Sequence, residues 1–225
     1  MEATVRKIVD KESAAIGNAN NMYIEQGTNV PAFVAFVGSY YAYNGPFIKM
    51  VREEMYPTVR DFMHIVHIDA LETVNNIQGA VPMDDGFVRQ YVKDFAIRMA
   101  SSSARQLRKI IRDSGSPKMG KIKKESSLRK LPEQYTVLTA EEIAERVQQW
   151  KLKRPGIIAE DEAIRESNAQ ARESWRQSGV TKLKWEAVGK SCPFCNQLNG
   201  KIVGIQSAFM EDGEVLYAKG EETQG

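Results

Sequence analysis

Apolar residues at three- and four-residue steps run from Phe87 to Ile111, and this stripe constrains the fold more than any other feature of the chain. Its members are Phe87, Val88, Tyr91, Val92, Phe95, Met99, Leu107, Ile110 and Ile111. A period close to that of the α-helix predicts an amphipathic helix with one buried face. Asp84 is a suitable N-terminal cap, and the segment 114–117 (Ser-Gly-Ser-Pro) should end the helix. The three serines 101–103 interrupt the stripe with small side chains, which would let another helix approach closely.

Two further helices are predicted in the N-terminal part. Residues 2–28 have a helical pattern that ends near Gly27. Pro46 can open a second helix that runs to about Gly79 and bends at Pro57, since proline suits the first turn and disrupts the interior. Between them, residues 38–46 are rich in tyrosine and turn-forming residues, which favours a loop folded back on its own domain over one that packs on a neighbour.

The C-terminal part is predicted to combine a helical hairpin with short strands. A capping box at 139–142 (Thr-Ala-Glu-Glu) starts a helix to about Lys153. Pro155 then opens a second helix that ends at Gly179. Strands are predicted at 183–188, 201–205 and 214–217. The fold class is therefore mainly α with a small C-terminal β module (α+β).

Three segments follow from this pattern. Residues 1–113 form a helical body, and residues 114–138 form a basic, flexible linker in which Gly, Ser, Pro and Lys dominate. Residues 139–225 hold the helical hairpin and the small β module, and the pattern predicts that this module is truncated at its C-terminus. No run of eighteen apolar residues occurs, so no membrane-spanning segment is predicted. The N-terminus lacks the pattern of a secretory signal, which favours an intracellular site of synthesis.

Positive charge is concentrated in one stretch, although the whole chain carries only +2. Ten basic residues lie between positions 105 and 130, and only Asp113 and Glu125 oppose them. The basic residues are Arg105, Arg108, Lys109, Arg112, Lys118, Lys121, Lys123, Lys124, Arg129 and Lys130. Such a patch on an otherwise acidic chain indicates a polyanionic partner such as DNA or RNA, or else a solvated linker that is basic.

Cys192 and Cys195 are the only cysteines, and they enclose Pro-Phe. A C-x-x-C turn can direct two sulfurs at one tetrahedral zinc ion, but a structural zinc site needs four ligands. The pair is therefore half of a site, with zinc expected only if further ligands lie beyond Gly225, or it is a pair of reduced thiols. The following residues 196–200 predict a turn rather than the start of a helix, which disfavours a dithiol redox enzyme.

Other signals of catalysis or metal binding are weak. His64 and His67 could share one helix face, but no third ligand is evident nearby, and an amphipathic helix with two polar positions is the favoured interpretation. The sequence has no glycine-rich phosphate loop and no nucleophile elbow. No catalytic residue is therefore predicted.

The order of motifs between residues 155 and 210 resembles the C-terminal region of the Mu F-like head-morphogenesis proteins, the minor head proteins of tailed phages. The resemblance rests on an acidic helix residue with an asparagine six residues on, a glycine, a Trp-containing strand, the C-x-x-C, and a Leu-Asn-Gly-Lys turn. The matching residues are Glu162, Asn168, Gly179, Trp185, Cys192, Cys195 and Gly200. The chain departs from the family in having Gly-Lys-Ser at 189–191, where an Asp is usual, and in lacking a later segment rich in His and Cys.

The resemblance implies a structural virion protein, not an enzyme. Such proteins are placed inside the capsid in association with the portal, and are made in the host cytoplasm during assembly. The implied partners are the portal protein, capsid or scaffold proteins, and packaged double-stranded DNA bound without sequence specificity. Two alternatives stay open: a nucleic-acid-binding protein with a zinc-knuckle module, and a hydrolase or toxin.

Overall fold

The computed structural model describes residues 1–27, 29–74, 81–114, 140–211, 215–218 and 221–224, and gives only the backbone for 112–114 and for the last two of these ranges. The described chain is mostly helical and ends in short antiparallel strands, which confirms the predicted fold class. None of the helices in the described ranges combines the length and the apolar character that crossing a bilayer requires.

The elements follow one another as helices, then strands. The helices are α1 (Glu2–Asn20), continued by a π-helical turn (Asn21–Glu25), α2 (Val30–Tyr40), α3 (Pro46–Thr73), α4 (Asp85–Ser114), α5 (Ala140–Gln177) and α6 (Pro193–Leu198). The strands are β1 (Lys182–Lys184), β2 (Ile202–Gly204), β3 (Val215–Ala218) and β4 (Glu221–Gln224). Strand β1 pairs antiparallel with β2, with Leu183 opposite Val203, and β3 pairs antiparallel with β4.

The chain divides into two compact units that are discontinuous in sequence. Unit 1 comprises residues 1–63 and 84–166, and unit 2 comprises 64–83 and 167–225. This division differs from the three consecutive segments predicted above, because the long helices α3 and α5 each contribute to both units. The predicted linker, residues 114–138, lies outside the described residues apart from Ser114, the last residue of α4.

Unit 1 has a core made by the apolar faces of its helices. The stripe of α4 is buried at Val88, Val92, Phe95, Met99 and Leu107, as its periodicity predicted. The other buried apolar residues of unit 1 lie on α1, α2, α3 and α5, and include Val5, Ile8, Phe33, Phe47, Met55, Ile143 and Trp150. Burial of several large side chains at roughly 1.5–3 kcal/mol each makes this packing the main stabilising contribution in unit 1.

Helix α2 was not predicted. Its residues Val30–Tyr40 overlap the predicted loop, and only the turn after Tyr41 stays irregular. Asn29 caps the helix by accepting a hydrogen bond from the Ala32 amide at 3.0 Å. Tyr40 and Tyr41 are buried within unit 1 beside Phe47. Tyr40 and Tyr41 therefore pack on their own unit, as favoured from the sequence, but from the end of a helix, whereas Tyr43 is exposed.

The predicted helical hairpin is wrong, because α5 is one helix that runs through Pro155. A proline inside a helix removes one backbone hydrogen bond and costs about 3 kcal/mol. Tertiary anchors in the turns just before Pro155 offset this cost. Trp150 is buried and donates to Gln106 at 2.8 Å, and Arg154 donates to the hydroxyl of Ser103 at 2.9 Å. The serine interruption in α4 is thus the place where α5 approaches.

Candidate functional site

The chain leaves helix α5 at a glycine, as the sequence predicted. The amide of Gly179 donates to the carbonyl of Arg176, and the amide of Val180 donates to the carbonyl of Trp175. This pair of bonds is a Schellman motif, which requires the left-handed conformation that Gly179 adopts at φ = 85°. The turn directs the chain into β1.

Trp185 and Gly200, both motif residues of the resemblance, are joined through the backbone. The amide of Gly200 donates to the carbonyl of Trp185 at 2.8 Å, and the amide of Trp185 donates to the carbonyl of Lys201 at 2.9 Å. The side chain of Asn199 accepts from the amide of Ala187 at 3.0 Å. Gly200 has φ = 84°, so a side chain there would be strained. We refer to residues 179–205 as the C-x-x-C module.

The two cysteines lie at the start of a short helix, so the predicted turn after them is wrong. Cys192 is the N-terminal cap of α6, and Pro193 occupies its first position, where a missing N–H has no consequence. The Cys192 sulfur accepts a hydrogen bond from the amide of Cys195 at 3.3 Å. A sulfur at this cap takes the role that a serine oxygen usually takes, which the residue pattern alone did not reveal.

The two sulfurs share a hydrogen bond 3.1 Å long, and both are free thiols. Hydrogen bonds from the backbone and then from the thiol of Cys195 lower the pKa of Cys192, whereas the bond to Cys192 raises the pKa of Cys195. Both directions follow from one contact, because the hydrogen bond between the sulfurs favours the thiolate form of Cys192 and disfavours that of Cys195. A thiolate is the form that binds soft metal ions and attacks disulfides.

Cys192 and Cys195 supply two of the four ligands that a tetrahedral zinc site needs. Both sulfurs are close enough to converge on one ion, but no group of three His, Cys, Asp or Glu side chains that could hold a metal occurs among the described residues. Of the two histidines, His64 is exposed. His67 is buried and its two ring nitrogens are hydrogen bonded to Ser174 Oγ and to the carbonyl of Val81, both at 2.8 Å. His67 is therefore a structural residue of unit 2.

The sequence argument against dithiol chemistry was that a turn, not a helix, follows the cysteines. That argument no longer holds, because α6 begins at the cysteines. The arrangement still differs from a thioredoxin-type site, in which a strand leads directly into the motif. Here β1 ends at Lys184, and an irregular segment separates it from Cys192.

Glu162, another motif residue, organises polar contacts inside unit 1. Its carboxylate accepts from the hydroxyl of Tyr91 at 2.9 Å and from Arg98 at 2.9 and 3.2 Å, and Arg165 approaches to 3.4 Å. Only 4% of Glu162 is exposed. Asn168, its predicted companion six residues on, belongs to unit 2 and is exposed.

Glu166 is a buried carboxyl group that the sequence reasoning missed. It is fully buried in unit 1, and neither of its oxygens has a hydrogen-bond partner among the described residues. Burial, and then the nearby charge of Glu162, raise the pKa of Glu166 to about 8. The sequence did carry one signal of a buried polar face, which is the four-residue spacing of polar residues on α5 at 162, 166, 170 and 174. All four residues are buried in the structure.

The predicted basic segment is only partly described. Arg105, Arg108 and Lys109 are exposed on α4. The side chain of Arg112 and all of Lys118, Lys121, Lys123, Lys124, Arg129 and Lys130 lie outside the described residues. The described part of the segment is thus a solvent-facing set of cations near the end of a long helix.

Comparisons of this chain with family models, with curated proteins and with solved structures found no match.

Proposed function

We propose that this chain is a structural minor head protein of a tailed phage. It works inside the capsid in association with the portal, aids head assembly or DNA delivery, and has no catalytic activity. The proposal starts from the resemblance between residues 155 and 210.

The observation that carries the proposal is the closure of the C-x-x-C module. The resemblance is an order of separate motifs, and in the structure four of these motifs are consecutive parts of one substructure: the Gly179 turn, the Trp185 segment, the cysteine cap and the Asn199-Gly200 turn. Two mutual backbone hydrogen bonds join Trp185 to the residues Gly200 and Lys201. Because these motifs fold together, they are better interpreted as one family signature than as unrelated short matches.

DNA contact is the second part of the proposal. The exposed cations Arg105, Arg108 and Lys109 lead into the strongly basic sequence 118–130. Contacts of lysine and arginine with phosphate need no base-reading helix and give binding without sequence specificity. Such binding suits a protein that meets whichever DNA the head contains.

Co-expression with the portal protein encoded by the same genome tests the main proposal. We expect the chain to co-purify with portal rings by size exclusion, and to do so less well when Trp185 is replaced by alanine. The matched control is Trp175→Ala, which removes a tryptophan of the same unit outside the C-x-x-C module. A chain that stays free of portal rings under all conditions would contradict the proposal.

A salt titration tests the DNA contact separately. The logarithm of the affinity should fall steeply with the logarithm of the salt concentration, by about 0.9 for each phosphate contacted. Replacement of Lys121, Lys123 and Lys124 by alanine should make this slope shallower. An unchanged slope would mean that the segment is only a tether.

A nucleic-acid-binding protein with a zinc-knuckle module is the second candidate, and the 3.1 Å approach of the exposed Cys192 sulfur to Cys195 favours it. Zinc analysis of the purified chain separates the two candidates. One zinc per chain, or one per two chains, would support the knuckle, and thiols that titrate freely without zinc would remove it.

A further inference from the structure

Helices α3 and α4 enclose an open groove in unit 1 that the proposed function leaves unused. The groove has a volume of about 530 Å³. Its lining residues are Lys49, Arg52, Glu53, Tyr56, Arg89 and Val92. Three of the six are basic and one is acidic, so the lining is cationic although the chain as a whole is nearly neutral.

Two of these cations have no acidic partner among the residues that the structure describes. Lys49 and Arg52 are exposed on α3, and neither forms an ion pair within the described part of the chain. Elsewhere in unit 1 the comparable lysines are paired: Lys7 and Lys11 both contact Glu54, at 2.7 and 2.5 Å. Unpaired cations that face one groove create a positive potential that attracts an anion.

The third cation is held in a fixed position. Arg89 Nε donates to Asp85 at 2.7 Å, and its Nη2 donates to the hydroxyl of Tyr56 at 3.2 Å. The guanidinium also stacks over the Tyr56 ring, 4.4 Å from its centroid. Tyr56 in turn donates to Asp85. Because guanidinium is planar and has five donors, a fixed arginine with unused N–H groups suits phosphate recognition.

The line of cations continues along α4. Lys93 lies one turn beyond Arg89 and places its ammonium 5.3 Å from the ring centroid of Tyr43. Residues four apart on a helix are neighbours about 5–6 Å apart, so Lys93 extends the positive charge of Arg89 along α4. An elongated anion with repeated charges fits cations spread along two helices better than a single compact ion does.

We propose that this groove binds the phosphate backbone of double-stranded DNA, as a second contact separate from the basic segment 105–130. Lys49 and Arg52 contact phosphates directly, and Arg89 fixes the position of the strand. The choice of DNA as the source of the phosphates rests on the proposed function, whereas the affinity for phosphate rests on the groove alone.

Fluorescence anisotropy with a 20-base-pair duplex tests this proposal over a range of salt concentrations. The double variant Lys49→Ala/Arg52→Ala should lower the slope of log affinity against log salt by about two, since each lost phosphate contact contributes about 0.9. The matched control Lys7→Ala/Lys11→Ala removes the same number of charges from unit 1, and should change the slope by less than half as much. Equal changes in the two double variants would overturn the proposal, because only net charge would then matter.

A second measurement uses the unaltered protein. Acetylation of Lys49, followed by mass spectrometry, should slow several-fold when the duplex is present, while acetylation of Lys182 should not. Protection by inorganic phosphate at the same phosphate concentration, with none by the duplex, would overturn the assignment to DNA. If the groove variant bound DNA like the wild type while the Lys121/Lys123/Lys124 variant did not, only the groove proposal would be contradicted. Co-purification with the portal would still test the proposed function.

Discussion

Unit 1 and the C-x-x-C module are stabilised in different ways. Unit 1 has a large apolar core, and it also buries the carboxyl groups of Glu12, Glu162 and Glu166. The module buries only Leu198, and its shape follows from backbone hydrogen bonds, a sulfur cap and glycines in the left-handed conformation. The first arrangement depends on residues far apart in sequence, and the second on residues within a span of about 25. Substitutions should therefore have large and global effects in unit 1, and small and local effects in the module.

The largest effect is expected at the buried ion pair between Arg154 and Glu12. Their side chains are 12% and 0% exposed and lie 3.2 Å apart. Burial raises the pKa of Glu12, and Arg154 opposes that rise. Arg154→Ala would leave the carboxyl group buried without its cation, which should lower the free energy of unfolding by about 3–5 kcal/mol. Urea denaturation at pH 7 measures this.

Lys151→Ala is the matched control for that variant. Lys151 lies on the same helix and pairs with Asp10 at 3.6 Å, but both side chains are about half exposed. Exposed pairs contribute less than about 1 kcal/mol. If the two variants lowered stability equally, the burial of Glu12 would not be what makes Arg154 important.

The next largest effect concerns the pH dependence that Glu166 confers on unit 1. Its pKa rises from 4.5 to about 8 on folding, so the folded state favours the protonated form. This contribution is fully present below pH 4.5 and is lost as the pH rises through about 8. The free energy of unfolding should therefore fall by roughly 3 kcal/mol between pH 5 and pH 8.

Glu166→Gln should remove that fall, because the amide stays neutral at every pH. Glu160→Gln removes an exposed carboxylate from the same helix and should leave the fall intact. Thermal or urea denaturation of the three proteins at several pH values makes the comparison. A Glu166→Gln protein with the same pH dependence as the wild type would show that another group titrates.

Sequence reasoning succeeded where local chemistry decides the structure. The stripe of α4, the Asp84 cap and the Gly179 helix end were all predicted from residues within a few positions of one another. It failed at Pro155, because the contacts that anchor α5 come from Gln106 and Ser103, about fifty residues away in sequence.

In the candidate site, too, some features were predicted from the sequence and others were not. Cys192 and Cys195 were identified from their spacing, but the helix they cap was not, since cysteine is not an expected capping residue. Glu162 was chosen for its place in a family pattern, and its contacts with Tyr91 and Arg98 could not be foreseen from α5 alone. Glu166 escaped notice because only its burial distinguishes it from the exposed acidic residues around it.

Alanine substitutions at Gly156, inside α5, and at Gly179, just after its end, should change the free energy of unfolding by about 1 kcal/mol in opposite directions. Neither Gly156 nor Gly179 has a heavy atom within 4 Å of where a Cβ would lie, so neighbours do not decide the outcome. Gly179→Ala should destabilise because of its positive φ, by about 1–2 kcal/mol. Gly156→Ala should stabilise by roughly 0.5–1 kcal/mol, since alanine loses less freedom inside a helix. Urea denaturation checks both signs, and two changes of the same sign would contradict the assigned helix end.

The smallest effects are expected at the sulfur cap of the C-x-x-C module, and they distinguish local capping from metal binding. Cys192→Ser keeps an acceptor for the Cys195 amide and should change the free energy of local opening by less than about 0.5 kcal/mol, whereas Cys192→Ala removes the acceptor and should cost about 1 kcal/mol. Hydrogen exchange of the Cys195 amide, followed by NMR, reports this opening without requiring unit 1 to unfold. If a zinc ion held the module instead, serine and alanine would be equally disruptive, and a chelator would speed exchange in the wild type to the same extent. Slow exchange in the serine variant, unaffected by chelator, would mean that hydrogen bonds alone fold the module.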